Sequence, residues 1–330
     1  MSRIAGGYLW HGLARSTWRN YDTPCRSFMT FCALRGLRHL EGSCWPAREL
    51  WLIEWVAALA GRVRTKSIKL YLCGLKSYHV DLGLPSGAFQ DERLERAIRG
   101  IKREHPEPDR RERTPLTREL LLRILGQLRL GHQTYNSLTL RAAFTLAFAG
   151  FLRVGEFTYH RTDLELGPQF RNWFLAKSCI RLSRNQSHMA VHLPASKTDP
   201  FRQGIEVLIA ASGDEACPVA AMADLQQADR HRGPLEPLFT ADQFRKTPFT
   251  REYVVSQLRS LAVAAGLGAG SWNGHSFRRG AATWAAEVGL PEPQIQALGR
   301  WSSSAYKAYI ETSREDRVAL SRRFQRFGHS

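Results

Sequence analysis

The sequence predicts a mainly α-helical protein with one small β-sheet, divided into two domains. Three observations carry this. The first hundred residues repeat apolar positions every three to four residues, the period of helices that bury one face. The run His105-Pro106-Glu107-Pro108-Asp109-Arg110-Arg111-Glu112-Arg113-Thr114-Pro115 is dense in proline and charge, admits no regular element and reads as a boundary. Beyond it only a few short apolar segments, separated by turn residues, stand among longer helical ones. The expected divisions are a helical domain over 1–104, a basic linker over 105–114 and a larger mixed domain over 115–330.

In the first domain Ser16 is placed as an N-cap, with Tyr21, Cys25, Phe28 and Cys32 recurring behind it at helical spacing. Leu50 to Leu59 predicts a second apolar helix. A third, Thr65 to Tyr78, turns Ile68, Tyr71, Leu72 and Leu75 inward and carries Arg62, Lys66, Lys69 and Lys76 on its other side. A fourth, Asp91 to Arg103, buries Leu94, Ile98 and Ile101 and exposes Arg96, Arg99 and Arg103. A single basic helix face is ordinarily solvated surface. Two in one small bundle, with few acids opposite, favour contact with a polyanion. After Thr117 helices resume, and Leu138 to Phe151 is apolar enough to be fully buried. Strands are expected at Trp173 to Ile180, Met189 to Leu193 and Gly204 to Ile209, with the turn-rich Pro194-Ala195-Ser196-Lys197-Thr198-Asp199-Pro200 between the last two. From Glu252 onward the pattern is helical.

A hydrophobic fraction of 43% excludes a disordered chain. The net charge is +17 over 330 residues. The first 110 residues hold 18 basic against 11 acidic groups, so they carry a surplus of seven and leave ten to the rest. A surplus in both halves suits nucleic acid held by both. The six cysteines form no CxxC pair and no histidine lies in zinc-finger register with them, so reduced thiols are expected and no metal site. The N-terminal stretch lacks the apolar core of a secretory signal. The most apolar stretch, Leu50 to Ala60, contains Glu54 and is too short to span a bilayer, so no membrane partner is expected.

Four clusters carry chemistry. An arginine, Arg153, follows the apolar helix directly, with Glu156 three residues on. Lys197 sits in the turn between two strands. His275 and Arg278 stand three apart at a helix start, sharing one face. Gly299-Arg300-Trp301-Ser302-Ser303-Ser304-Ala305-Tyr306-Lys307-Ala308-Tyr309 closes the series. Singly these read as a helix-end ion pair, a turn lysine, an exposed basic pair and a core aromatic cluster.

Together and in this order they resemble the catalytic domain of the tyrosine recombinase (phage integrase) family. That family's pattern is an arginine box, a β-hairpin lysine, His-x-x-Arg, a His or Trp, and a tyrosine. Arg153 with Glu156, Lys197, His275 with Arg278, Trp301 and Tyr309 match it over roughly residues 115–326. The helical first part looks more loosely like the family's core-binding, SAM-like domain. Ser-Lys-Thr-Asp-Pro-Phe and Gly-Arg-Trp-Ser-Ser-Ser-Ala-Tyr look most like recombinases of eukaryotic Crypton and DIRS-type mobile elements. The sequence departs from the common pattern in two ways. Position 301 is Trp where many relatives carry His, and an indole donates a hydrogen bond but accepts no proton. The Trp301-to-Tyr309 interval is one residue shorter than in typical bacterial and phage members; the eukaryotic-element ending Ala-Tyr-x-x-Tyr selects Tyr309 over Tyr306.

The resemblance implies a C-shaped two-domain clamp on double-stranded DNA, assembling as a homo-tetramer on paired sites. It implies cleavage by Tyr309 through a 3′-phosphotyrosyl link, with no cofactor or metal. Arg153 and Arg278 would hold the non-bridging oxygens, Lys197 would protonate the leaving oxygen, His275 would orient or accept protons, and Glu156 would steady Arg153 or His275. Lys66, Lys69, Lys76, Arg62, Arg96, Arg99, Arg103, Arg110 and Arg111 are the expected DNA contacts. A eukaryotic element would place the protein in the nucleus. The competing readings are a catalytically silent domesticated DNA-binding protein and a type IB topoisomerase; RNA binding stands third, without a recognition motif.

Overall fold

A computed structural model describes residues 2–13, 15–106, 114–130, 134–196, 199, 201–242, 247–268 and 270–310. The chain forms two units, 1–110 and 111–330.

The first unit is all helical: α1 (Arg3–His11), α2 (Arg15–Arg35), α3 (Glu49–Ala58), α4 (Thr65–Asp81) and α5 (Glu92–Glu104), with a 3-10 turn at Gly87–Gln90. Its core is Phe28, Leu52, Trp55, Val56, Ile68, Leu75, Leu94 and Ile98, the positions that helical periodicity selects. Asp91 starts α5 because its carboxylate accepts the Arg93 backbone N–H at 2.7 Å. Helix α2 already begins at Arg15, so Ser16 lies inside it rather than capping it. Lys66, Lys69, Arg96, Arg99 and Arg103 are exposed and Lys76 is half-buried; Arg62 is exposed too, but in the turn before α4 rather than on the helix.

The second unit is helical around two small antiparallel sheets. Its helices are α6 (Arg118–Leu130), α7 (Tyr135–Ala149), the short α8 (Val154–Phe157), α9 (Pro218–Ala228), α10 (Arg251–Ala264), α11 (Ser276–Glu287) and α12 (Glu292–Leu298). Strands β1 (Ile180–Leu182), β2 (His188–Leu193) and β3 (Ile205–Ala210) form one sheet in that order; β4 (Thr240–Asp242) and β5 (Thr247–Pro248) pair separately. In β2 Met189, Val191 and Leu193 face the core while His188 and His192 face out, the period-two alternation of a half-buried strand. Helix α7 is buried on nearly every side, as its uniform apolarity requires. Helix α11 packs directly on the chain at Leu116: a Cβ on Gly280 would lie 1.7 Å from the Leu116 carbonyl oxygen, so only glycine fits. No helix among the described residues is long and apolar enough to cross a membrane.

The strand expected at Trp173 to Ile180 is mostly absent. The chain there runs through 3-10 turns at Arg161–Asn172 and Lys177–Cys179, and only Ile180 enters β1. The apolar residues belong to a different packing: Phe170 and Phe174 cluster with Tyr159, and Leu175 and Ala176 bond and bridge to the segment around Pro237 and Leu238. Gly167, at φ 53°, and Pro168 interrupt any longer element. Phe151, expected at the end of the buried helix, lies beyond it in the left-handed region at φ 50°. Lys197, Arg110 and Arg111 lie outside the described residues, as does the linker beyond Pro106 up to Thr114.

Candidate active site

The site is built where α7, α11 and α12 end or begin together. The α7 helix stops at Ala149, and the left-handed Phe151 turns the chain so that Arg153 stands in extended backbone just before α8. Glu156, nearly buried, closes on Arg153 twice: one oxygen accepts its backbone N–H at 2.9 Å, the other its guanidinium at 2.9 Å. The ion pair expected from the i, i+3 spacing is therefore present.

Arg278 is not the exposed half of a basic pair. It sits in the first turn of α11, completely buried. Its guanidinium donates to the Phe151 carbonyl at 2.6 Å and to the Gly299 carbonyl, and lies 4.2 Å over the Trp301 ring. Among the described residues its Nε has no hydrogen-bond partner. Burial, and then the neighbouring Arg153, push its pKa down to about 10, so it still carries its charge at neutral pH. A buried charge with an unsatisfied N–H is poised for an anion. His275 is the residue before α11 and is half-buried.

The C-terminal cluster folds back over this centre. A Cβ on Gly299 would lie 1.5 Å from the Trp301 ring, so the glycine is what allows the indole to lie flat across the turn after α12. Trp301 is buried, 5.5 Å from the Tyr309 ring and 6.1 Å from Tyr306. Tyr306 and Tyr309 are not on an α-helix: Tyr306 lies in a 3-10 turn at Ser304–Ala308 and Tyr309 closes it. That geometry separates them. Tyr306 is buried and donates its hydroxyl to Glu292 at 2.6 Å, a bond to a carboxylate that raises its pKa. Tyr309 is half-buried; its ring stands 6.2 Å from His275 and 5.9 Å from the Arg278 guanidinium, and its carbonyl accepts the Thr283 hydroxyl at 3.2 Å.

One arginine escaped the reading of the sequence. Arg300, at φ 54°, donates to the Gly150 carbonyl at 2.8 Å and to Glu156 at 3.3 Å. Glu156 thus bridges Arg153 and Arg300. The signal was the shortened interval: counted back from Tyr309 at the usual spacing, the position reached is 300, not 301. The site so assembled combines Arg153, Arg278 and Arg300, one carboxylate, an imidazole and a phenol. It suits a single anionic group attacked by a hydroxyl. Lys197, between β2 and β3 in the chain, completes the expected set outside the described residues.

No family model matches the chain. An integrase/recombinase, a xerD homolog from Selenomonas ruminantium, is 25% identical over 305 residues, covering 90% of this chain and 82% of the relative. Among solved structures, the XerH site-specific recombinase bound to palindromic difH substrate superposes with a TM-score of 0.62 at 16% identity, covering 92% of this chain and 78% of the other. A lambda integrase (75–356) dimer bound to a COC′ core site gives 0.55 at 15% identity, covering 94% and 96%. The fold, mainly helical with small antiparallel sheets, is that of the tyrosine recombinases. Along nine-tenths of its length the chain is thus similar to an integrase/recombinase, which supports a recombinase enzyme.

Proposed function

We propose that the protein is a site-specific recombinase that cuts and rejoins double-stranded DNA through a 3′-phosphotyrosyl intermediate at Tyr309. The observation that supports this reading is the convergence of Tyr309, His275 and the buried, charged Arg278 around one point. The phosphate oxygens are held by Arg153 and Arg278, which stabilise the charge that builds as the Tyr309 oxygen attacks phosphorus. His275 takes or orients the phenol proton, Trp301 walls the site, and Lys197 protonates the departing 5′ oxygen. A second 5′-hydroxyl then attacks the phosphotyrosyl bond and releases Tyr309, so no outside energy source is required.

The relatives supply the finer reading. The lambda integrase and XerH structures are complexes with DNA, and one lambda integrase structure is a tetramer on a Holliday junction. We take this chain likewise to act on paired sites as a tetramer, in the integration or excision of a mobile element, and in the nucleus if that element is eukaryotic. Arg62, Lys66, Lys69, Lys76, Arg96, Arg99 and Arg103 are the proposed phosphate contacts of the first unit.

The test begins with selection of bound fragments from a random DNA pool. The selected site is then made into a nicked suicide substrate, from which the cleaved end diffuses away. A covalent protein–DNA adduct, with the modified peptide containing Tyr309, is the expected result. Binding without an adduct would leave a silent DNA-binding protein, and relaxation of supercoiled DNA lacking the selected site would make it a topoisomerase.

A further inference from the structure

Arg300 is held in a manner that a surface arginine never needs. It occupies the left-handed region, where a side chain other than glycine is strained, directly after the Gly299 turn. That turn swings its guanidinium back into the protein, where it spans the Gly150 carbonyl and the Glu156 carboxylate. Glu156 is 4% exposed and already satisfied by Arg153 on both its oxygens. A second cation on the same carboxylate repels Arg153 and Arg278, and its burial, then the neighbouring Arg153, lower its own proton affinity. A fold seeking stability alone would not gather three guanidiniums around one carboxylate.

The chemistry accounts for the surplus. Three guanidiniums and one carboxylate leave two positive charges. A phosphodiester carries one negative charge, and a second develops when a tyrosine oxygen adds to it. The surplus therefore matches the transition state rather than the bound substrate. Arg278 faces Tyr309, Arg153 is tied to Glu156, and Arg300 is hydrogen-bonded to that same carboxylate.

We infer that Arg300 is a positioning residue for strand cleavage. By gripping the Glu156 oxygen that also accepts the Arg153 backbone N–H, while the other oxygen holds the Arg153 guanidinium, it fixes the orientation of Arg153 toward the scissile phosphate. The inference rests on the recombinase reading above.

The experiment uses the full chain and the suicide substrate, with single-turnover cleavage and DNA affinity read separately. Arg300→Gly is the chosen variant, because glycine accepts φ 54° without strain and so keeps the fold. It should bind DNA within a few-fold of wild type and cleave slower by roughly 10²-fold, the loss typical of one misplaced oxyanion donor. Guanidinium ion in the reaction should restore part of that rate. Glu156→Gln should also slow cleavage, and the double variant Arg300→Gly with Glu156→Gln should be no slower than Glu156→Gln alone. Wild-type cleavage by Arg300→Gly would overturn the inference. So would an affinity loss equal to the rate loss, which would make Arg300 an ordinary DNA contact. Multiplying effects in the double variant would also overturn it, because Arg300 would then act independently of Glu156. If wild type forms no adduct while binding DNA, the recombinase reading fails instead, and the two failures are told apart in the same gel.

Discussion

Arg278→Lys keeps a positive charge and removes the fork. Arg278 now serves the Phe151 and Gly299 carbonyls at once and stacks on Trp301. An ammonium at the end of a lysine reaches one of the two carbonyls, and a buried carbonyl left unpaired costs about 1–3 kcal/mol. For a unit of this size each kilocalorie moves Tm by roughly 2–4 °C, so the variant should melt roughly 2–12 °C below wild type. Cleavage should fall further than stability, by about 10²-fold or more, since a point charge replaces a planar donor at the phosphate. The pH dependence should shift as well. Arg278 in the folded protein keeps its proton until pH rises through about 10, so its charge is intact across the neutral range. Lysine starts from an ordinary value of about 10.4 and burial lowers it, so the variant should lose its remaining activity at a lower pH than wild type as pH rises. Differential scanning fluorimetry measures the first effect and quenched single-turnover cleavage between pH 6.5 and 9.5 the others. A variant that melts with wild type refutes the carbonyl-bridging role. One that cleaves at the wild-type rate refutes the placement of Arg278 at the phosphate.

Three further outcomes follow from the same geometry. Tyr309→Phe should bind DNA and form no adduct, whereas Tyr306→Phe, which loses only its hydroxyl bond to Glu292, should still form one; peptide mapping of the adduct distinguishes them, and phosphate on Tyr306 would reverse the assignment. His79 is fully buried in the first unit, with one ring nitrogen against the Leu75 carbonyl and the other accepting the Ala47 N–H, and burial lowers its pKa. Its neutral form is the folded one, so its contribution is intact above the ordinary value of about 6.5 and is lost as pH falls through the lowered folded value; denaturant melts from pH 7.5 to 4.5 should show a loss that is reduced in His79→Gln, and equal slopes would exclude His79 as the source. Charge reversal at Lys66, Lys69 and Lys76 should weaken DNA binding and flatten its dependence on salt, with the cleavage rate of bound DNA unchanged; an unchanged salt slope would remove that face from the interface.

Much of the helical framework was legible because it rests on local rules. Period-3.6 apolar stripes marked α4 and α5 with their buried Ile68 and Leu94, and general apolarity marked α3 and α7. Misreadings arose where an apolar segment owed its character to tertiary contact. Phe170, Phe174 and Leu175 looked like a strand and are pinned instead against Tyr159 and the chain near Leu238. Helix α9 and the β4–β5 pair gave no signal strong enough to separate them from loop. In the site, the order of residue types was readable but their burial was not. Arg278 looked exposed because an i, i+3 pair at a helix start ordinarily is, and nothing local announces that Phe151 and Gly299 will each offer it a carbonyl.

Arg300 shows most clearly what linear spacing omits. Its two partners, Gly150 and Glu156, are about 150 residues away in the chain, and its left-handed backbone is a property of the turn after α12 rather than of arginine. The same two turns, at Phe151 and at Gly299–Arg300, supply the carbonyls that hold Arg278. Each turn therefore does two things: it ends a helix, and it directs backbone oxygens toward a buried guanidinium. The arginines in turn tie down both turns, each of which carries a residue in the left-handed region. Buried charge and turn geometry are thus coupled through the same backbone oxygens. A preorganised cluster of this kind needs little rearrangement when charge builds on the phosphate, and that is where most of its rate advantage would lie.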